Sequence, residues 1–297
     1  VGIEHNEKLA EFWAAQFVNR DRSAKVLDMA CGAGSVLRHA NKHGFADLTG
    51  VDISADAITA MQNEFPNAQG VVAPVEKTGL EAQGYDMVVS QFGFEYAGST
   101  RAVLAAAREM ARLVGDNGQF TALCHIQGGG IEQEVSGHLQ DIKALTSTKF
   151  IAAAKAVFVT IEAAETQPSP KTKSAYEAAV ANLAKPREHI TAWMATGHDT
   201  SEIHALGRHL YNGTVEMFNR RKAFAPADIT GWLDGMQHEI DAYSGRMRSM
   251  KNAALSEKDA CNILAVFTGS GFSADDPKAF FLKGDTKPAA WILSAKR

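Results

Sequence analysis

One stretch constrains the fold of this 297-residue chain more than any other: Lys25-Val-Leu-Asp-Met-Ala-Cys-Gly-Ala-Gly-Ser-Val-Leu37, with Asp52 following Gly34 by eighteen residues in Leu48-Thr-Gly-Val-Asp-Ile-Ser54. It reads as a strand, a glycine turn, a helix, a second strand and an acidic residue at that strand's end. An open α/β sheet builds a nucleoside pocket in this way. Val26 and Leu27 suit a buried parallel strand. Gly32 and Gly34 remove side chains where the backbone must turn sharply and a ligand must approach the helix start. Asp28 is expected at the strand's carboxyl end, facing the cleft. Asp52 is placed to accept hydrogen bonds from both hydroxyls of a ribose, a charge-assisted arrangement stronger than a neutral pair. A cofactor with a free ribose diol follows.

Nicotinamide dinucleotides use a similar turn, but their fingerprint needs a third glycine so that the helix can pack close and aim its amino end at a pyrophosphate. Leu37 takes that place here, and the dehydrogenase reading recedes.

Asp28-Met-Ala-Cys-Gly-Ala-Gly34 resembles the first motif of class I S-adenosylmethionine-dependent methyltransferases, usually Asp-x-Gly-x-Gly-x-Gly. Val51-Asp-Ile-Ser54 is similar to that family's acidic second motif, and Tyr85-Asp-Met-Val-Val-Ser-Gln-Phe92 to its fourth-strand motif. The resemblance covers roughly residues 20–126 and returns near the C-terminus. It departs at Ala30, in place of the first glycine, and at Pro74 in Val72-Ala-Pro-Val-Glu76, where many members carry an aspartate for the adenine amino group. The backbone amide of Val75 is left to serve the ring.

The resemblance implies S-adenosylmethionine as cofactor and S-adenosylhomocysteine as product. It puts Asp52 on the ribose, and Gly32 and Gly34, with Ala30 and Cys31 in the same turn, at the methionine end. Asp28 would hold the methionine ammonium directly or through water, Ser90 would offer its carbonyl to the same group with Gln91 beside it, and Ile53 and Val75 would flank adenine.

Further along the chain, strand patterns at Val26–Met29, Leu48–Asp52, Gly70–Ala73, Met87–Phe92 and Phe120–His125 alternate with helical patterns near 36–43, 55–64 and 101–113. That alternation predicts a doubly wound, mostly parallel sheet. An amphipathic helix carrying Phe12, Trp13, Phe17 and Val18 precedes it, and Gly115-Asp-Asn-Gly118 reads as a turn into the fifth strand. Gln127-Gly-Gly-Gly130 reads as a flexible hinge, after which residues 131–255 carry almost no strand signal. Helical stretches there are broken by Gln167-Pro-Ser-Pro-Lys171 and Lys185-Pro186. A helix from Ser256 to Gly271 and strands at Lys278–Lys283 and Ala289–Ala295 complete a seven-stranded, Rossmann-like methyltransferase core. The expected organisation is a core of residues 1–130 and 256–297 with a helical lid insertion, 131–255, after the fifth strand.

Such a lid would close the cleft beyond the strands' carboxyl ends and exclude water. Its set Phe150, Phe158, Trp193, Tyr211, Met217, Phe218, Trp232 and Met236 suits a pocket for an apolar or aromatic metabolite, although most single members are expected to pack the lid's own core. Two copies could swap a lid of this size, and a homodimer is compatible with it.

Methyl transfer to a hydroxyl or protonated amine needs alignment and a base. His125, ending the fifth strand beside the glycines, is the base candidate, with a strand-capping histidine as the alternative. Glu95 and Tyr96, in Phe92-Gly-Phe-Glu-Tyr96, are candidates for orienting substrate, with capping of the next helix as the alternative for Glu95. No metal is expected: His204 and His209 lie five apart, off a common helix face, and His198 stands alone in a Gly-His-Asp turn. Ser90-Gln-Phe-Gly93 is not the Asn-Pro-Pro-Tyr box that similar enzymes use on bases or glutamine.

Composition narrows the acceptor. A net charge of −4 from 30 basic and 34 acidic residues spread along the chain lacks the basic face of a nucleic-acid binder. Three cysteines, Cys31, Cys124 and Cys261, without metal spacing suit the cytoplasm. No signal peptide is visible, and no run of about eighteen apolar residues suggests a membrane span. The sequence therefore reads as a cytoplasmic methyltransferase acting at oxygen or nitrogen of a small molecule, with a protein or RNA methyltransferase and a non-catalytic cofactor-binding protein as the alternatives.

Overall fold

The structure, a computed structural model, describes residues 7–196 and 202–297. They fall into two units, 1–134 with 249–297, and 135–248. His198 and the first six residues lie outside the described residues.

The first unit is built on a sheet of β1 (Val26–Met29), β2 (Leu48–Asp52), β3 (Gln69–Val72), β4 (Tyr85–Gln91), β5 (Val114–His125), β6 (Ser273–Ala274), β7 (Lys278–Phe280) and β8 (Ala290–Lys296). The spatial order is β3-β2-β1-β4-β5-β8, with β6 and β7 both paired to β8. β1 to β5 pair in parallel, and β8 runs antiparallel to β5, with Cys124 opposite Trp291. The seventh strand position is thus filled by two short segments interrupted at Asp275-Asp-Pro277, where proline has no N–H to give the ladder.

Helices cover both faces of the sheet. α1 (Glu7–Phe17), α2 (Ser35–Lys42) and α3 (Ala55–Glu64) bury Trp13, Phe17, Leu37 and Met61 with the β1 side chain of Val26. On the other face α4 (Thr100–Leu113) and α10 (Glu257–Gly269) bury Val103, Met110 and Phe267 with Leu27, and Phe267 stacks on Phe120 at 4.2 Å. Each fully buried side chain of this size contributes roughly 1.5–3 kcal/mol. Serines start the helices: Ser54 Oγ accepts from Ala57 N, Ser99 Oγ from Ala102 N, and Ser256 forms a capping box with Asp259.

Two expectations about turns need correction. Gly115-Asp-Asn-Gly118 does not precede the fifth strand but sits inside β5 as a bulge, since Tyr85 pairs with Val114 and Met87 already with Gln119. A Cβ on Gly118 would lie 2.8 Å from Val114 Cγ1, so glycine is required there. The segment at Gln127–Gly130 is not a free hinge either. Gln127 N donates to Leu255 O, Gly130 N to Pro288 O at 2.9 Å and Gly128 N to the Glu132 carboxylate at 2.6 Å. Its glycines allow tight seating: a Cβ on Gly129 would be 2.5 Å from Pro288 O.

The second unit contains α6 (Phe150–Thr166), α7 (Pro170–Thr196) and α8 (Glu202–Asn219), with most of α5 (Gly130–Ser147) and α9 (Pro226–Ala253). Lys185-Pro186 does not break α7, which runs through Pro186 for 27 residues. An interior proline costs about 3 kcal/mol, and burial of Ala179 on one side and of Ile190 and Trp193 on the other offsets it. Notches hold the tryptophans: a Cβ on Gly207 would lie 2.2 Å from the Trp193 ring, and one on Gly213 2.6 Å from Trp232. Within Gly130–Thr166 an 18-residue window reaches a mean hydropathy of 1.4, apolar enough by composition to cross a membrane. The backbone divides it into α5 and α6 at Lys149, whose φ is 57°.

Candidate functional site

A cavity of about 470 Å³ opens in the first unit at the carboxyl ends of β1 to β4, where open α/β sheets bind ligands. Ala30 and Gly32 line it from the turn after β1, Asp52 and Ile53 from the end of β2, Pro74, Val75 and Glu76 after β3, and Phe92, Gly93, Tyr96 and Ala97 after β4. Sequence reasoning placed Ala30, Gly32, Asp52, Ile53, Val75 and Tyr96 at the site; the walls supplied by Glu76, Phe92, Gly93 and Ala97 carried no signal beyond following a strand.

Asp52 braces the turn that shapes this cavity. Its Oδ2 accepts from Gly32 N and its Oδ1 from Ser54 N, both at 2.9 Å. A carboxylate has about four acceptor positions, so each oxygen keeps one for a ribose hydroxyl. Ile53 is 75% exposed, unusual for its type, and with Val75 it gives the cavity apolar walls suited to an adenine ring. Gly32 has φ 53°, and a Cβ there would meet no atom within 4 Å, so the turn leaves its open side to a ligand.

Two residues beside the cavity adopt the left-handed conformation without being glycine. Ala30 has φ 57° where the methyltransferase motif has glycine, and its Cβ borders Gly93, which only a glycine could occupy because a Cβ there would be 2.6 Å away. Ala30→Gly is expected to raise stability by roughly 0.5–1 kcal/mol, the left-handed penalty of about 1–2 kcal/mol being partly cancelled by glycine's greater unfolded entropy. Urea unfolding with an unchanged m-value checks this, and a lower midpoint would contradict it. Phe92 has φ 50°, an outlier for a bulky residue. Its N–H is held by Leu123 O at 2.8 Å and its ring by His125, centroids 4.5 Å apart.

Asp28 is not in the cleft as expected. It is 1% exposed, does not line the cavity, and neither carboxylate oxygen has a hydrogen-bond partner. Burial, with Asp52 nearby, pushes its carboxyl well above the usual range. A buried acceptor pair with nothing to accept from suits a cationic ligand group.

Residues 26–118 match the family described as a methyltransferase domain. Over these residues the chain carries a methyltransferase domain. No curated protein matches the chain in sequence. Among solved structures, the YcgJ protein of Bacillus subtilis is similar at 18% identity over 46% of this chain and 58% of its own, with TM-score 0.37. A TehB-like SAM-dependent methyltransferase from Corynebacterium glutamicum is similar at 24% identity over 40% and 62%, TM-score 0.35. The sugar N-methyltransferase KedS8 of Streptoalloteichus is similar at 28% identity over 39% and 47%, TM-score 0.35. The likeness therefore spans less than two thirds of each of these chains.

Several expected contacts of the methyltransferase core have other employment. Gly34 does not line the cavity; with φ 85° it starts α2, and a Cβ would lie 2.9 Å from Met61 Cγ. Cys31 is buried, and burial pushes its thiol far up, so it is no nucleophile. Ser90 is fully buried and donates its hydroxyl to Met29 O at 2.6 Å, tying β4 to the end of β1, a bond that does not involve the carbonyl expected at the methionine ammonium. Gln91 accepts from Trp13 Nε1 at 2.5 Å and so fixes α1 to β4.

His125 and Glu95 form a buried pair. Glu95 Oε1 accepts from both His125 N, at 3.1 Å, and His125 Nδ1, at 2.9 Å. An ionised carboxylate only accepts, so the proton of this bond lies on Nδ1. Neither residue lines the cavity; Phe92 and Tyr96, which do, pack on the imidazole, Tyr96 edge-on at 5.6 Å. Burial raises the Tyr96 phenol far above its ordinary range, so it acts as a neutral donor or packing surface. Among the described residues no histidine, cysteine and carboxylate cluster could hold a metal.

Asp28→Asn tests the orphaned carboxylate. A folded pKa raised above the unfolded value costs stability as pH rises through it. The amide is therefore expected to stabilise the ligand-free protein by about 1–3 kcal/mol at neutral pH, with the gain shrinking as pH falls, while cofactor affinity drops. Urea unfolding across pH, paired with a titration, reads both; loss of stability at pH 7 would refute the assignment.

Proposed function

We propose that this protein binds S-adenosylmethionine and transfers its methyl group to an oxygen or nitrogen of a small molecule. The observation that carries the reading is Asp52 bracing the Gly32 turn beside a cavity walled by Ile53 and Val75. When bound, S-adenosylmethionine supplies an electrophilic methyl on a sulfonium. Asp52 receives the ribose hydroxyls, Ile53 and Val75 flank the adenine, and Gly32 leaves room for the chain that joins it to the methionine end. Asp28, whose carboxyl lies buried without a partner, would be drawn into its ionised form by the ammonium at that end.

In this reading His125 takes the acceptor's proton at Nε2 and Glu95 is its positioning residue, since holding both the backbone N–H and Nδ1–H fixes the ring and its tautomer. A small-molecule acceptor is supported by the lack of a basic excess and of an Asn-Pro-Pro-Tyr box after β4. Calorimetric titration with S-adenosylmethionine and S-adenosylhomocysteine tests the cofactor. One-to-one binding in the micromolar range is expected; absence of binding to both, with and without acceptor candidates, would overturn the reading. Release of S-adenosylhomocysteine across a panel of hydroxyl and amine metabolites then identifies the acceptor.

A further inference from the structure

The helical unit contains a cavity of its own, about 330 Å³, walled by α6, α7 and α8. Apolar residues recur there at helical spacing on each wall: Phe150 to Phe158 on α6, Tyr211 to Phe218 on α8, and Tyr176, Val180 and Leu183 on α7, a stripe that Arg187 continues. Facing stripes of this kind ordinarily interdigitate and close. These do not, and Val180 and Val215 on its walls remain 43% and 41% exposed.

One charged side chain lines the cavity, Arg187. It is exposed and makes no ion pair or hydrogen bond among the described residues, although other arginines nearby, such as Arg221 with Glu165, are paired. The Tyr176 and Tyr211 hydroxyls on the same walls are likewise uncommitted. An apolar cavity at the small end of the usual ligand range of about 300–1,000 Å³, with a few convergent polar groups, matches the anatomy of a small-molecule site. A guanidinium in a planar fork is suited to a carboxylate or sulfonate.

We infer that the helical unit binds an amphipathic organic acid, its apolar body between α6, α7 and α8 and its anionic head on Arg187. Nothing in this inference depends on methyl transfer, and its test is run on the full chain without S-adenosylmethionine. The probe is 1-anilinonaphthalene-8-sulfonate, followed by fluorescence and calorimetry, with decanoate and decanol as competitors.

Saturable binding of one probe per chain is expected, displaced by decanoate at a concentration at least tenfold lower than by decanol. Arg187→Gln, at an exposed position, is expected to weaken both anions about tenfold, and Asp52→Ala to leave them unchanged. Ala154→Phe, which fills the cavity from α6, is expected to abolish the site with the helical circular dichroism retained. Equal displacement by decanol and decanoate, or unaltered binding by Arg187→Gln, would overturn the inference whatever Ala154→Phe does. A concentration-dependent dimer that Val180→Glu dissociates and that excludes the probe would overturn it too, by showing a second copy as the occupant.

Discussion

Replacing Asp52 by alanine is expected to weaken S-adenosylmethionine binding by about a hundredfold to ten-thousandfold. Each hydrogen bond to a charged group is worth about 1.5–3 kcal/mol, a factor of ten corresponds to about 1.4 kcal/mol, and the carboxylate has room for two ribose hydroxyls. The same substitution removes acceptors for Gly32 N and Ser54 N, so a loss of affinity alone would not separate recognition from a loosened turn. Two readouts do. Urea unfolding should show a stability loss of only about 1–2 kcal/mol, leaving the protein folded. Adenosine and 2′,3′-dideoxyadenosine, titrated as fragments, should differ at least tenfold on the native protein and bind Asp52→Ala equally. If the variant still prefers the diol, Asp52 does not hold the ribose.

His125→Ala is expected to lower kcat by about 10²–10⁴, the range for removing a positioned base, with KM for the cofactor unchanged and the acidic limb of the pH–rate profile abolished. Glu95→Gln should act in the same direction and more weakly, because its amide oxygen can still accept from Nδ1 while the charge that favours an imidazolium is gone. The arrangement is equally able to serve as a structural clamp, since the pair is buried and Glu95 also holds the His125 backbone. The clamp makes the opposite forecast: kcat unchanged at temperatures where the variant is folded, and a lowered unfolding midpoint. An unchanged pH profile in His125→Ala would remove the base assignment while leaving cofactor binding intact.

The legible parts of the fold were those with short-range causes. β1 and β2 span the residues expected of them, Val26–Met29 and Leu48–Asp52, and α3 starts after Ser54 because a serine side chain caps it. The fifth strand was harder: its bulge at Gly115–Gly118 has the composition of a turn, and only pairing of β4 with both ends of β5 makes it an insertion. Pro186 looked like a breaker because a local rule says so, and burial on both sides of it in α7 prevailed. Gln127–Gly130 looked mobile because three glycines lack side chains, yet Leu255 and Pro288, more than a hundred residues away, give its amides acceptors.

The same division runs through the site. By itself the sequence determined the glycine turn, the acidic residue at the end of β2 and hence the cofactor class, because the spacing of a strand-turn-helix-strand unit is fixed by backbone geometry over about thirty residues. Only the tertiary structure decided what each polar group touches. Asp28 became a buried carboxylate without a partner, while the Gln91 side chain was taken up by Trp13, and His125 by Glu95. Each of these outcomes depends on a residue at least thirty positions away or on the lack of one, and a hydrogen bond is made by whatever the packed chain brings within about 3 Å, a distance that sequence neighbours do not set.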